Sequence, residues 1–242
     1  MTSVPRVPVE YRVFPNSAIM ARQVADDVAI KLSRAIETHG DASLVVPGGT
    51  TPGFFFDALA HADLDWARVT VMPSDERWVP TTDAGSNERL IRERLLVGRA
   101  ASARFVSWRG AGEDRDSAIA ALNARIHPHT SFDVCVLGLG TDGHIASIIP
   151  SAPDYAVLCT QIFSPHSVTV VDAPGAAITS HRLSLTLGAI LRSQLIVVLS
   201  TGEPKRVVLE AAIEGDGDGP IVLLLAPQVA PIWACWAPEV AQ

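Results

Sequence analysis

The chain of 242 residues has only three cysteines, Cys135, Cys159 and Cys235, and no CxxC pair. Zinc knuckles and disulfide frameworks are thereby excluded, and a reducing, cytoplasmic setting fits this usage. Cys135 sits in an apolar run and reads as a core residue. Long hydrophobic runs are also missing. The longest, near Ile221 to Ala226, falls far short of the ~20 residues a membrane helix needs. Met1 to Phe14 lacks a basic segment followed by an apolar one, so no secretory signal is expected. Basic surplus is absent too, since 19 Lys and Arg face 26 Asp and Glu, for a net charge of -7. Such a balance repels nucleic acids and anionic membranes, and neither is expected as a partner. A local basic pocket can still hold a small anion.

Several catalytic signatures are missing as well. There is no GxSxG elbow, no HExxH and no Walker lysine after a glycine-rich loop, and the Gly48-Gly49 turn is not a GxGxxG. A covalent serine mechanism and a metal mechanism are both disfavoured, which leaves water activated by a protein base. No cofactor and no metal is expected. Neither an internal repeat nor a long linker is visible, so residues 1–242 are expected to form one domain, with a monomer favoured. Apolar residues make up 48% of the chain, enough for a sizeable core.

What is present alternates short β-branched runs with helical periods. Tyr11 to Phe14 reads as an edge strand. Met20, Val24, Val28, Leu32 and Ile36 recur every four residues, one face of a helix over 16–37. Asn16 or Ser17 would cap it and Gly40 end it. Ser43–Val46, Val69–Met72, Arg104–Trp108, Phe132–Leu137, Val168–Val171, Leu195–Leu199, Ile221–Leu225 and Ile232–Trp236 read as strands. Pro52–His61, Glu88–Leu96, Asp114–Ile126, Leu183–Leu191 and Pro204–Ile213 read as helices, with Thr51 capping the first. Strands separated by helices imply right-handed crossovers: an α/β fold of three layers, α/β/α, around a mostly parallel, Rossmann-like sheet. Ligands bind beyond the carboxyl ends of such strands.

Four groups of residues sit at such ends. Gly48, Gly49, Thr50 and Thr51 form a strand-to-helix turn that can offer donors to an anion; taken alone, it is equally an ordinary tight turn. Ser74-Asp75-Glu76-Arg77 follows the next strand. Asp75 could accept sugar hydroxyls and Arg77 hold a carboxylate or oxyanion, or the group is simply a surface ion cluster. Ser86-Asn87 would cap the next helix. In Gly138-Leu139-Gly140-Thr141-Asp142-Gly143-His144, the glycines force a compact turn that pairs an imidazole with a carboxylate two residues away, a base and its orienter. The bland alternative is a capping aspartate and a packed histidine. His127 and His129 beside Pro128, His39 and His61 at helix ends and His166 in a loop lack such a setting. Arg182 and Lys205 precede or open helices; a lysine there opposes the helix dipole, a cost tolerable when an anion lies between. Gly215-Asp216-Gly217-Asp218-Gly219 is a surface loop without the calcium pattern of an EF-hand.

These motifs, in this order, resemble the 6-phosphogluconolactonase family, related by fold to glucosamine-6-phosphate deaminases and ribose-5-phosphate isomerases. PGGTTP at 47–52 is similar to the family's SGGSTP loop, and SDERWVP at 74–80 with Ser86-Asn87 to its DERxVP…SN signature. FDVCVLGLGTDGHIASIIP at 132–150 resembles its DGH signature, HRLSLTL at 181–187 its ERITLT segment, and TGEPKRVVL at 201–209 its tGxxKa helix. Departures are Pro47, Thr50, His181 and the C-terminal stretch, which lacks a tryptophan-x-x-aspartate ending. The deaminases continue from DGH into Phe-Asn-Glu-Pro and carry Asp-Glu-Tyr; here Ala146 to Pro150 and Asp75-Glu76-Arg77 stand instead, which favours the lactonase.

The resemblance implies a sugar-phosphate substrate, 6-phospho-D-glucono-1,5-lactone, with a deaminase-type enzyme as the alternative. It implies His144 as general base oriented by Asp142, with Asp75 on ring hydroxyls or water and Arg77 or loop N–H groups on the oxyanion. The phosphate would rest between the Gly48–Thr51 loop, Arg182 and Lys205.

Overall fold

A computed structural model describes residues 9–49, 51–108, 114–127, 131–226 and 230–239. Its centre is a seven-stranded sheet in the order β1-β10-β9-β6-β2-β3-β5. The strands are β1 (Val9–Val13), β2 (Ala42–Val46), β3 (Val69–Pro73), β5 (Arg104–Phe105), β6 (Val134–Gly138), β9 (Ile196–Thr201) and β10 (Ile232–Ala237). Every pairing among them is parallel. Both faces are covered, so the strands carry apolar side chains at successive positions. Leu44 and Val46 enter one core while Val45 between them enters the other. The sheet is the middle of three layers.

The first core holds α1 (Ser17–His39), α2 (Gly53–Leu59) and α3 (Asn87–Arg94). Met20, Val24, Val28 and Leu32 are at most 2% exposed, each contributing roughly 1.5–3 kcal/mol by burial. The Asn16 side chain accepts from the Ile19 N–H at 2.9 Å, and Gly40, left-handed at φ 95°, ends α1. The opposite core holds α4 (Arg115–Ile126), α7 (Glu203–Glu214) and α8 (Pro220–Leu225). It also takes a second, three-stranded antiparallel sheet ordered β4-β8-β7: β4 (Asp75–Arg77), β7 (Val168–Asp172) and β8 (His181–Leu185). Ser74 joins the sheets, its N–H donating to Val46 O at 2.8 Å and its O accepting from Leu185 N–H at 2.9 Å. Two short α-helices, α5 (Tyr155–Thr160) and α6 (Leu187–Leu191), and three 3-10 turns at Trp66–Arg68, Gly98–Ser102 and Gln161–Phe163 complete the described elements.

Several sequence expectations are corrected. The helix expected over 183–191 is strand β8 followed by α6, which Thr186 caps. Arg182, Ser184 and Thr186 alternate with Leu183, Leu185 and Leu187, a period of two that matches a strand. The strand expected over 221–225 is α8, opened by Gly219 and Pro220, a proline placement suited to a first helical turn. Val168–Val171 is a strand but belongs to the smaller sheet. Thr51 does not cap α2: the capping position is Pro52, with no side-chain hydrogen bond. The strand from Arg104 stops at Phe105. Among the described residues no helix is long and apolar enough to cross a membrane.

Candidate active site

At the sheet's centre, β2, β6 and β9 are neighbours. Their carboxyl ends open into a cleft of about 340 Å³, where ligands of open α/β sheets bind. It is lined by Gly48, Gly49 and Thr51 after β2, by Ser74, Asp75 and Arg77, by Gly138 to Thr141 and His144 after β6, by Ala146 and Arg182, and by Lys205 on α7. The four motif groups of the sequence thus meet in one place. Thr50 lies outside the described residues, as do Pro128 and His129. Asp142 is not itself a lining residue but touches His144.

The turn after β6 is tied by Gly140 N–H to His144 O at 2.9 Å and Gly143 N–H to Gly140 O at 3.1 Å. A side chain on Gly140 would put a Cβ 2.2 Å from His144 Nδ1. His144 Nδ1 lies 2.6 Å from Asp142 Oδ1. That hydrogen bond, the largest influence, holds the Asp142 carboxyl below its usual range. An ionised carboxylate only accepts, so Nδ1 is the donor of this pair and Nε2 is left free of it. Both side chains keep contact with solvent, His144 being 39% exposed, so the imidazole is not packed in the core.

The surface ion cluster is ruled out as well. Asp75 is 6% and Glu76 0% exposed. Asp75 accepts from Ser147 Oγ at 2.7 Å, Ser74 Oγ at 3.1 Å and Asn87 Nδ2 at 3.2 Å. Glu76 points away and accepts the N–H groups of Arg77, Asn87 and Glu88, each at 2.7 Å, and the Ser86 hydroxyl at 3.1 Å. Burial nevertheless dominates and raises its pKa. Ser86 caps α3 as expected, accepting from Arg89 N–H at 3.2 Å. Asn87, Ser147 and Glu76 are site-building residues whose roles the sequence did not reveal. A lone serine in the apolar run Ile145–Ile149 was the only trace of Ser147. Asn87 also donates to Asp75 O at 2.8 Å and packs so tightly on Gly48 that a Cβ there would overlap its amide.

Three cations line the cleft against one carboxylate, Asp75. Arg77 donates to Gly85 O at 2.8 Å and Arg182 to Ala177 O at 2.7 Å, while the buried Nε of each has no hydrogen-bond partner among the described residues. Burial lowers the pKa of Arg182, opposed by Asp75 and reinforced by Arg77. Burial also lowers that of Lys205, whose Nζ is 3.5 Å from Thr51 Oγ1. Cations held partly or wholly out of solvent, two of them with unused donors, fit an anionic ligand.

A glycine-rich cleft at the centre of a parallel sheet, carrying an imidazole hydrogen-bonded to a carboxylate and three cations, fits an enzyme of the α/β class with room for a small anionic substrate. The model of the glucosamine-6-phosphate isomerases/6-phosphogluconolactonase family matches residues 15–233, and the chain belongs to that family. A 6-phosphogluconolactonase of Rhizobium meliloti is 38% identical over 230 residues, 93% of this chain and 97% of the relative. One from Caulobacter vibrioides is 35% identical, covering 97% of this chain and all of the relative. The crystal structure of a 6-phosphogluconolactonase from Shewanella baltica superimposes with a TM-score of 0.87 at 30% identity, over 96% of this chain and 100% of that one. Within the family the chain sides with these lactonases.

Proposed function

We propose that the protein hydrolyses 6-phospho-D-glucono-1,5-lactone to 6-phospho-D-gluconate, the lactone-opening step of the oxidative pentose phosphate pathway, with His144 activating the water. The observation that carries this reading is the Asp142-oriented imidazole in the same cleft as Arg77, Arg182 and Lys205. His144 Nε2 takes a proton as water attacks C1. The tetrahedral intermediate collapses, the C1–O5 bond breaks, and the imidazolium returns the proton to O5. The product is a carboxylic acid that ionises. No electron acceptor and no metal is called for by this sequence of steps.

The phosphate rests between the Gly48–Thr51 loop, Lys205 and Arg182. Arg77, the cross-strand partner of Arg182, adds its guanidinium to the same anion, which leaves the oxyanion to backbone N–H groups of the 138–144 turn. Asp75, held by Ser147, Ser74 and Asn87, faces the ring hydroxyls or positions the water. The absence of a disulfide among Cys135, Cys159 and Cys235 suits a cytoplasmic enzyme.

The alternative, release of ammonia from glucosamine 6-phosphate, lacks support at the position that matters. After His144 the chain offers Ala146, Ser147 and the buried Ile148 and Ile149, with no carboxylate to drive ring opening. The test follows freshly prepared phosphogluconolactone by coupled oxidation of its product, at a pH where spontaneous opening is slow. Enzyme-dependent acceleration is expected. No acceleration, or ammonia from glucosamine 6-phosphate, would overturn the reading.

A further inference from the structure

The Gly215–Gly219 loop, without a calcium pattern and outside the cleft lining, has a structural partner in the catalytic turn. A Cβ on Gly219 would lie 2.8 Å from Gly143 Cα and 3.0 Å from Gly143 C and O. The reciprocal Cβ on Gly143 would lie 3.0 Å from Gly219 Cα. These are backbone atoms, which cannot swing aside as a side-chain end can. Gly143 also has φ 80°, a conformation open to glycine. Ile221 N–H, at the start of α8, donates to Gly143 O at 3.3 Å. The loop is pinned from its other side, since Tyr155 OH on α5 donates to Asp218 O at 2.7 Å. Gly143 lies between Asp142 and His144, so any displacement of it alters the 2.6 Å contact between those side chains.

We propose that Gly219 is a positioning residue for His144: its bare Cα abuts Gly143 and fixes the turn that aims the imidazole at the cleft. The proposal deepens the lactonase reading and rests on it where turnover is concerned. Gly219 alone of the loop's glycines is then the rear wall of the catalytic turn, since Gly215 and Gly217 do not meet Gly143.

The test compares Gly219→Ala, Tyr155→Phe and Asp216→Ala with the wild type. Turnover of the lactone is measured together with the nitrogen-bound imidazole proton of His144, by NMR of histidine-labelled protein. Gly219→Ala is expected to lower kcat about 10- to 100-fold with little change in KM, as for an ångström-scale misplacement, and to shift or erase the His144 Nδ1 proton signal. Tyr155→Phe should act in the same sense but less. Asp216→Ala, an exposed residue of the same loop that does not meet Gly143, should leave both readouts unchanged. A folded Gly219→Ala with wild-type kcat and an unmoved His144 signal overturns the proposal, as does an Asp216→Ala that matches Gly219→Ala. Should Gly219→Ala fail to fold, an unmoved signal and kcat in Tyr155→Phe overturn it instead. A wild type inert toward the lactone would sink the lactonase reading alone, because the His144 signal is read without substrate.

Discussion

Arg77 and Arg182 stand directly opposite each other on β4 and β8. Each is anchored by one backbone carbonyl, Gly85 O for the first and Ala177 O for the second. Each keeps a buried Nε without a partner among the described residues. Like charges directly across a strand pair destabilise a sheet, and a buried unused donor adds a further cost. An anion bridging both guanidinium groups would remove both penalties at once.

A shared anion makes the two arginines energetically coupled. Arg77→Ala and Arg182→Ala should each raise KM for the lactone about 10- to 100-fold, the loss of a charge-assisted hydrogen bond of ~1.5–3 kcal/mol, with smaller effects on kcat. The double variant should lose less than the product of the single losses, since both contact one group. Steady-state kinetics over the cycle decides. Strict additivity, with Arg77→Ala acting on kcat alone, would assign Arg77 to the oxyanion instead.

Asp142 and His144 form the second coupled pair. His144→Ala should lower kcat on the order of 10²-fold or more, as for loss of a general base; an unchanged kcat would reject its role. Asp142→Asn should impair kcat too, because the amide no longer enforces the Nδ1–H tautomer. Its effect on stability carries a sign set by linkage. The native Asp142 carboxyl titrates below its ordinary range because of the hydrogen bond to His144. Its contribution is therefore fully present above the unfolded value, about pH 4, and is lost as pH falls through the lower native value. The Tm of Asp142→Asn should lie below wild type near neutrality, and the gap should close in acid. A gap independent of pH would show that the carboxylate's charge is not involved.

Much of this architecture was legible because local and tertiary preferences agree. Helix α1 carries its cap, its four-residue period and its terminal glycine in one segment, and β6 and, after Ser43, β2 carry the apolar runs of strands covered on both faces. Segments 183–191 and 221–225 were misread for opposite reasons. The alternation in β8 is short and runs straight into the apolar start of α6, so the helical period dominates the window. Helix α8 is a brief run of β-branched and leucine residues, whose proline at the first turn is the one sign against a strand. Asp142, His144, Asp75 and Arg77 were visible as polar residues at strand ends, and Arg182 and Lys205 as cations beside expected helix starts. Asn87 and Ser147 were not, because their importance lies in which distant groups they touch: Asn87 meets Gly48 and Asp75, and Ser147 meets Asp75 across 72 positions of chain.

Lys205 supplies the last prediction. Burial lowers its pKa, with Glu239 a weaker opposing influence. The unfolded chain thus binds the extra proton more readily, and the charged lysine opposes folding at neutral pH. That penalty fades as pH rises through the native value toward the unfolded one, near 10.4. In phosphate-free buffer Lys205→Met, which keeps the length and drops the charge, should therefore raise Tm at pH 7, with a smaller gain in alkaline buffer. Inorganic phosphate should reverse the ranking. It supplies the counter-charge that the wild-type ammonium lacks and raises the wild-type Tm by preferential binding to the native state, while Lys205→Met responds far less. Thermal scans with and without phosphate read both effects. A variant that loses Tm without phosphate, yet keeps the full phosphate shift, would remove Lys205 from the anion site and leave that role to the two arginines and the loop after β2.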